Sequence, residues 1–339
     1  MKELIIKKSE EGITLNKYLK KILIKMPQST YNKLLRKKYF EINGIKAQGK
    51  EILKVHDKIS IFLSDETYDK FSKESVVCDK VNQFTYDNNN KKLKKFEDDF
   101  YEKYIKDRIV YEDDYLIIYN KDIGVLSQDD RTGAITVNSI LNKYLNVDKK
   151  NIAFVPSVVN RLDRNTKGII IFAKTYLAAR ELSQMIRNGN VEKHYIAAVN
   201  GKMDGTGRLI NILKKDENNN KVIVKEYNGA VPKDFSKVEL VYDVLKSNKD
   251  VSTVDINLLT GKSPQIRAQF SYVHHPLISD KKYMDVSLYK ENVKKFGDKE
   301  QALICYKVRF GSFSCEKLMH LNNKTFEINV NDFYKKYVR

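Results

Sequence analysis

Apolar and polar positions change rhythm along the chain. In the first sixty residues Tyr31, Leu34 and Leu35 recur at helical spacing, while Lys33, Arg36 and Lys37 fall together on the other face. Ser29 or Thr30 is placed to cap that helix. Asn43-Gly44 between Phe40-Glu41-Ile42 and Ile45-Lys46-Ala47 is a hairpin signal, and Lys58-Ile59-Ser60-Ile61-Phe62 alternates as a strand does. A small helix-helix-strand unit is expected over residues 1–64. Periodicity is then lost. Residues 65–107 hold Asn88-Asn89-Asn90, a Lys91-Lys92-Leu93-Lys94-Lys95 run and Glu97-Asp98-Asp99. They read as a charged linker, helical near Phe96 to Ile105 and flexible in the middle.

From residue 108 to 339 strands dominate. The pattern predicts them at Leu116 to Tyr119, Gly168 to Ala173, Tyr195 to Val199, Val222 to Val224, Val238 to Val244, Val254 to Leu258, Leu303 to Phe310 and Phe326 to Val330. One strong helix is expected from Thr175 to Arg187, with Thr175 as its cap, Ala178, Leu182, Met185 and Ile186 as its buried stripe and Gly189 ending it. A second is expected from Pro264 to Val273. Strands outnumber helices and do not alternate regularly with them. The expected class is therefore α+β around a mainly antiparallel sheet, preceded by the small N-terminal α/β module.

Composition narrows the partner. The 339 residues fit about two domains and can bury a core without disulfides. Apolar residues are 42% and charged residues 31%, which excludes collagen, wholesale disorder and a membrane bundle. No apolar run approaches the ~18 residues of a membrane span, and no signal-peptide cleavage site follows Met1-Lys2-Glu3-Leu4. Lys and Arg number 62 against 44 acidic residues, a net +18 that suits a polyanion, nucleic acid rather than membrane. Residues 1–60 hold 15 basic and 6 acidic residues, so half of that surplus sits in under a fifth of the chain. Taken alone, the basic helix face is equally a solvated surface. Cys78, Cys305 and Cys315 are an odd number without a Cys-x-x-Cys, and His56, His194, His274, His275 and His320 are scattered. No metal site is expected, and the compartment is read as the reducing cytoplasm. The chain lacks Gly-x-Gly-x-x-Gly, a phosphate loop and Gly-x-Ser-x-Gly, so no nucleotide cofactor is expected.

One segment is electrostatically marked. Asp163 stands between Arg161 and Arg164 in Asn160-Arg161-Leu162-Asp163-Arg164-Asn165-Thr166-Lys167-Gly168, on the loop entering an apolar strand. Adjacent cations favour a charged carboxylate and can also hold phosphates. A salt bridge at a strand entrance is the structural alternative. This stretch resembles the signature of the RluA-type pseudouridine synthases. Further segments match in order: Ile109 to Gly124 with Asn120-Lys121, Lys193-His194-Tyr195 with Gly201, Leu259-Thr260-Gly261-Lys262-Ser263-Pro264-Gln265-Ile266-Arg267, and His275-Pro276-Leu277-Ile278-Ser279-Asp280 with Tyr283. Leu15 to Leu19, Ser29, Leu34-Leu35-Arg36, Ile42-Asn43-Gly44 and Asp57-Lys58-Ile59 are similar to the alpha-L RNA-binding module of the ribosomal-protein-four type.

The resemblance implies site-specific isomerisation of uridine to pseudouridine in structured RNA, large-subunit ribosomal RNA first, by a cytoplasmic and monomeric enzyme without cofactor or metal. It implies that Asp163 is the essential carboxylate, Tyr195 stacks on the uracil and Arg267 pairs with Asp163. Arg161 and Arg164 would hold RNA at the site, and Lys33, Arg36 and Lys37 would hold it on the module. The chain departs from the family at Asp122, Asn160, Lys262, Pro264, Ser279 and Ile304-Cys305-Tyr306. The competing reading is a non-catalytic RNA-binding ribosome-assembly factor on the same fold. A metal-dependent nuclease would want paired carboxylates, and turns account for Asp113-Asp114 and Asp129-Asp130.

Overall fold

The structure, a computed structural model, describes residues 1–72, 98–130, 132–147, 153–216 and 221–337. Cys78, the Asn88-Asn89-Asn90 run and the middle of the expected linker lie outside them.

The N-terminal unit has its own sheet. Strands β1 (Lys2–Ile5), β2 (Phe40–Ile42), β3 (Ile45–Lys46) and β4 (Lys58–Ile61) pair antiparallel in the order β1-β4-β2-β3. Asn43 and Gly44 both take left-handed φ, 51° and 80°, as a two-residue hairpin turn demands. Helices α1 (Leu15–Ile22) and α2 (Gln28–Arg36) cover the sheet around Leu15, Leu19, Tyr31, Phe40, Ile59 and Ile61. Pro27, not Ser29 or Thr30, precedes the first turn of α2, and no side chain caps it. Its φ of −59° turns the chain one residue before Gln28, which leaves both hydroxyls inside the helix. Helix α3 (Asp65–Phe71) begins at Ser64, whose Oγ accepts from Thr67 N, and a helical stretch α4 covers 98–104.

The remaining elements build one large sheet. In chain order they are β5 (Ile109–Glu112), β6 (Leu116–Lys121), α5 (Val137–Tyr144), β7 (Ser157–Val158), β8 (Lys167–Ala173), α6 (Tyr176–Arg187), β9 (Val191–Asn200), β10 (Thr206–Asp216), β11 (Lys221–Glu226), β12 (Ser236–Ser247), β13 (Val251–Leu258), α7 (Gln265–Tyr272), α8 (Val286–Phe296), β14 (Leu303–Phe310), β15 (Thr325–Glu327) and α9 (Asn331–Tyr337). The sheet runs β11-β10-β12-β13-β9-β14-β8-β6-β5, with β15 beside β14 and β7 beside β8. Every pairing is antiparallel except β14 with β8. At that junction Gly168 takes φ +123°, and a Cβ there would stand 2.1 Å from the Cys305 carbonyl oxygen, so only glycine lets the two strands meet.

Central strand β9 is buried on both faces. Tyr195, Ala197 and Val199 face one core, shared with α5, α6 and α7, while Ile196 and Ala198 face a second beside α9. The predicted helix at Thr175 forms with the expected cap, Thr175 accepting from Ala178 N. Strand β10 and helices α5, α8 and α9 were not anticipated by the hydrophobic pattern. Among the described residues no helix is long and apolar enough to cross a membrane.

The N-terminal unit packs on the large sheet's α6. The buried carboxylate of Glu10 accepts from Ala153 N at 2.6 Å and Lys7 N at 3.1 Å. Burial raises the Glu10 pKa despite those two donors. Gly12 abuts Leu177, and Lys17 Nζ donates to Tyr176 Oη at 3.2 Å. Ala153 and Tyr176 complete the N-terminal core. The junction is thus a packed contact as well as a covalent connection.

Candidate active site

The loop joining β7 to β8 carries Asp163, and its backbone is held from several sides. Leu162 is buried, its carbonyl accepting from Ser127 Oγ at 2.8 Å and its N–H donating back to the same oxygen at 3.0 Å. Thr166 N closes a turn onto the Asp163 carbonyl. Asn160 Oδ1 accepts from Ile171 N at 2.7 Å, tying the loop to β8. Below it lies Lys121, fully buried, whose ammonium donates to the carbonyls of Asp122, Val125 and Arg164 at 2.9, 2.8 and 3.0 Å. Burial lowers the Lys121 pKa to about 8, against the opposing pull of Asp122 and Asp163. The aspartate therefore stands on a backbone fixed before any ligand arrives.

Its side chain meets α7. Arg267 Nη1 donates to Asp163 Oδ2 at 3.2 Å, and Ser263 Oγ, just ahead of that helix, donates to Asp163 Oδ1. Arg267 is itself fixed by Asp280: Nε and Nη2 each donate to one Asp280 oxygen at 2.7 Å, a bidentate fork. The side chains of Asp280, Arg267 and Asp163 are 0%, 13% and 22% exposed, so charge is graded from the interior outward. Burial opposes the arginine's charge, but the carboxylates of Asp280 and Asp163 prevail and raise its pKa further. The Tyr283 ring lies 5.2 Å from the guanidinium and fixes its other side.

These groups open onto a cavity of about 1040 Å³. Tyr195 lines it from β9 and is nearly buried. Burial, with the Cys305 thiol and then Asp163 beside it, pushes the Tyr195 phenol well above its ordinary range, which keeps it neutral at physiological pH. Leu162, Leu258, Ile266 and Leu303 give the cavity apolar walls. Arg161 and Arg164 stand at its rim.

Sequence reasoning named Asp163, Tyr195 and Arg267, and all three meet at this cavity. The flanking arginines behave differently from the expectation drawn from adjacency. Among the described residues neither pairs with Asp163, and Arg164 Nε donates instead to the Gly124 carbonyl at 3.1 Å. The cation beside Asp163 is Arg267, 104 residues further along, as the resemblance implied. Lys33 and Arg36 on α2 and Lys37 just after it are exposed and do not line the cavity. Ser263, Asp280 and Lys121 received no role from the sequence. For Lys121 a signal existed, a lysine ending the apolar run Leu116-Ile117-Ile118-Tyr119. The other two depend on a tertiary turn.

Known proteins resemble this chain along most of its length. The profile of the family described as RNA pseudouridylate synthase matches residues 115–272. An uncharacterised RNA pseudouridine synthase of Mycoplasma genitalium is 29% identical over 328 residues, covering 94% of this chain and 92% of that protein. The ribosomal large subunit pseudouridine synthase C of Rickettsia felis is 30% identical over 273 residues, 79% of this chain and 81% of its own. The solved structure of human RNA pseudouridylate synthase domain containing 4 superposes with a TM-score of 0.53 at 18% identity, over 68% of this chain and 91% of that one, a likeness of fold.

Proposed function

Because this chain belongs to the RNA pseudouridylate synthase family and is an isomerase, we propose that it converts uridine to pseudouridine at defined positions of structured RNA, foremost large-subunit ribosomal RNA. The relative from Rickettsia felis bears that substrate in its name. The observation that carries the reading is the Asp163–Arg267–Asp280 chain of charge at the wall of a cavity that also holds Tyr195.

The reaction moves the ribose bond from uracil N1 to C5. The C1′–N1 bond breaks, the ring turns, and a C1′–C5 bond forms. One proton leaves C5 and one reaches N1, so the product is an isomer and no electron or group carrier is consumed. Asp163 is the carboxylate that meets the sugar, aimed by the hydrogen bond from Arg267. Tyr195, a neutral ring in a close-packed wall, stacks on the uracil. The target base has to leave its helix to enter, at a few kcal/mol, which favours loops and mismatched pairs. Arg161 and Arg164 at the rim hold the flanking backbone. The unit over residues 1–64 acts as an alpha-L-type RNA-binding module, presenting Lys33, Arg36 and Lys37. The enzyme works as a cytoplasmic monomer.

Asp163→Asn keeps size and removes charge. Pseudouridine formation is expected to fall below detection while folding and RNA affinity persist, read by chemical mapping of RNA after incubation with each protein. Turnover above a trace in the Asn variant would remove Asp163 from this role.

A further inference from the structure

Lys193 and Tyr195 are two residues apart on β9, so their side chains leave the same face of the sheet, and both line the cavity. Lys193 is only 7% exposed. Lysines are almost never buried to that extent without a partner. Among the described residues, however, none accepts a hydrogen bond from its ammonium and none forms an ion pair with it. Lys121, at the same site, gives three bonds to three carbonyls. Arg267 is committed to two carboxylates. Apolar Ile186, Leu258 and Leu303 line the same cavity. Burial lowers its pKa, with the Cys305 thiol acting in the opposite sense. An uncompensated buried cation is costly to a fold. Its retention beside the cavity fits a group whose partner is the ligand.

The chemistry supplies that partner. When C1′–N1 breaks, the electron pair stays with the ring, and the negative charge spreads over N1 and the two carbonyl oxygens. We propose that Lys193 is a further catalytic residue, whose ammonium holds the detached uracil anion through a carbonyl oxygen while the ring turns between the two bonds. The lysine keeps its proton throughout. Its charge matches the anion until C5 gives an electron pair to C1′ and the ring is neutral again on losing the C5 proton and gaining one at N1. A donor already buried in the cavity wall does this with little rearrangement of solvent. This assignment rests on the reaction proposed above.

The test is single-turnover conversion of an RNA that the wild-type enzyme modifies, compared with Lys193→Met. A loss of about 10²- to 10³-fold in rate is expected, the size seen when one preorganised donor to a developing anion is removed. RNA affinity is expected to hold, and thermal stability to stay level or rise. The same RNA with fluorine at C5 of the target uridine has a better leaving group. On it, loss of starting uridine should slow far less in the variant than on ordinary RNA. A merely structural lysine would slow both equally. Lys193→Gln, which keeps a neutral donor, should fall between wild type and Met and serves the same comparison if the Met variant does not fold. Rates within about threefold of wild type, or equal losses on the two RNAs, overturn the proposal. A wild-type enzyme that makes no pseudouridine in any ribosomal RNA would sink the reaction itself, separately from Lys193.

Discussion

The N-terminal unit and the cavity both concentrate positive charge, and they do so in opposite ways. On α2 and just after it, Lys33, Arg36 and Lys37 are exposed, and among the described residues none of them pairs with a carboxylate. Around the cavity, Lys121 is buried and Arg267 largely so, and both are engaged with fixed acceptors. Exposed cations keep their water and counterions until a phosphate displaces them, so they add affinity that salt can remove. Buried, bonded cations lose their freedom on folding and afterwards hold geometry, nearly independent of salt. On the function proposed above, one region attracts a polyanion and the other aims a carboxylate.

The widest separation between the two regions should come from Asp280→Asn. Removing the buried charge leaves Arg267 partly unpaired inside the protein, a change expected to cost about 3 kcal/mol of stability. Misaiming of Arg267 should also slow conversion about 10²-fold. Thermal unfolding and single-turnover kinetics check both, and near-wild-type values would show that Asp280 is dispensable. The module responds differently. Changing Lys33, Arg36 and Lys37 together to Gln should flatten the slope of log affinity against log salt by about two to three units. Conversion at saturating RNA should hold, because none of the three lines the cavity. An unchanged slope would reduce the basic face to solvated surface. The smallest effect expected is at Ser279, where the resembled family has glycine. Its φ is +58°, and its buried hydroxyl has no partner among the described residues. Ser279→Gly should raise stability by about 1 kcal/mol, by relieving left-handed strain and an orphaned polar group. A lower melting temperature would mean the hydroxyl has a use.

Local features were the ones readable in advance. The Thr175 cap, the Asn43-Gly44 turn and the stripe Ala178, Leu182, Met185 and Ile186 are statements about nearby residues, and each stands in the structure, with Ile186 only partly buried beside the cavity. Strand β10 escaped because its rhythm is set from outside. Gly207 interrupts the pattern where the Tyr242 ring crosses so closely that a Cβ would lie 2.4 Å from it. The site was readable as residue types, with Asp163, Tyr195 and Arg267 named ahead of any geometry, and the family resemblance also implied the Asp163–Arg267 pair, but not the rest of the circuit. Asp163 and Arg267 are 104 residues apart, and the Asp280 fork forms only when the chain after α7 folds back. Adjacency alone offered Arg161 and Arg164 as a salt bridge to Asp163, and only the family resemblance turned attention to Arg267, because sequence displays neighbours and not directions.

Helix α6 joins both regions. Its first residues, Tyr176 and Leu177, meet the N-terminal unit, and Ile186 near its other end lines the cavity. Twelve residues at 1.5 Å of rise make roughly 18 Å. A packed junction turns that length into a gauge. An RNA gripped by the module would present to the cavity only what lies a set distance along its contour. Choice of uridine would then be written partly in the spacing between a stem and its loop, and a duplex lengthened by a few base pairs would offer the wrong base, however well its sequence matched.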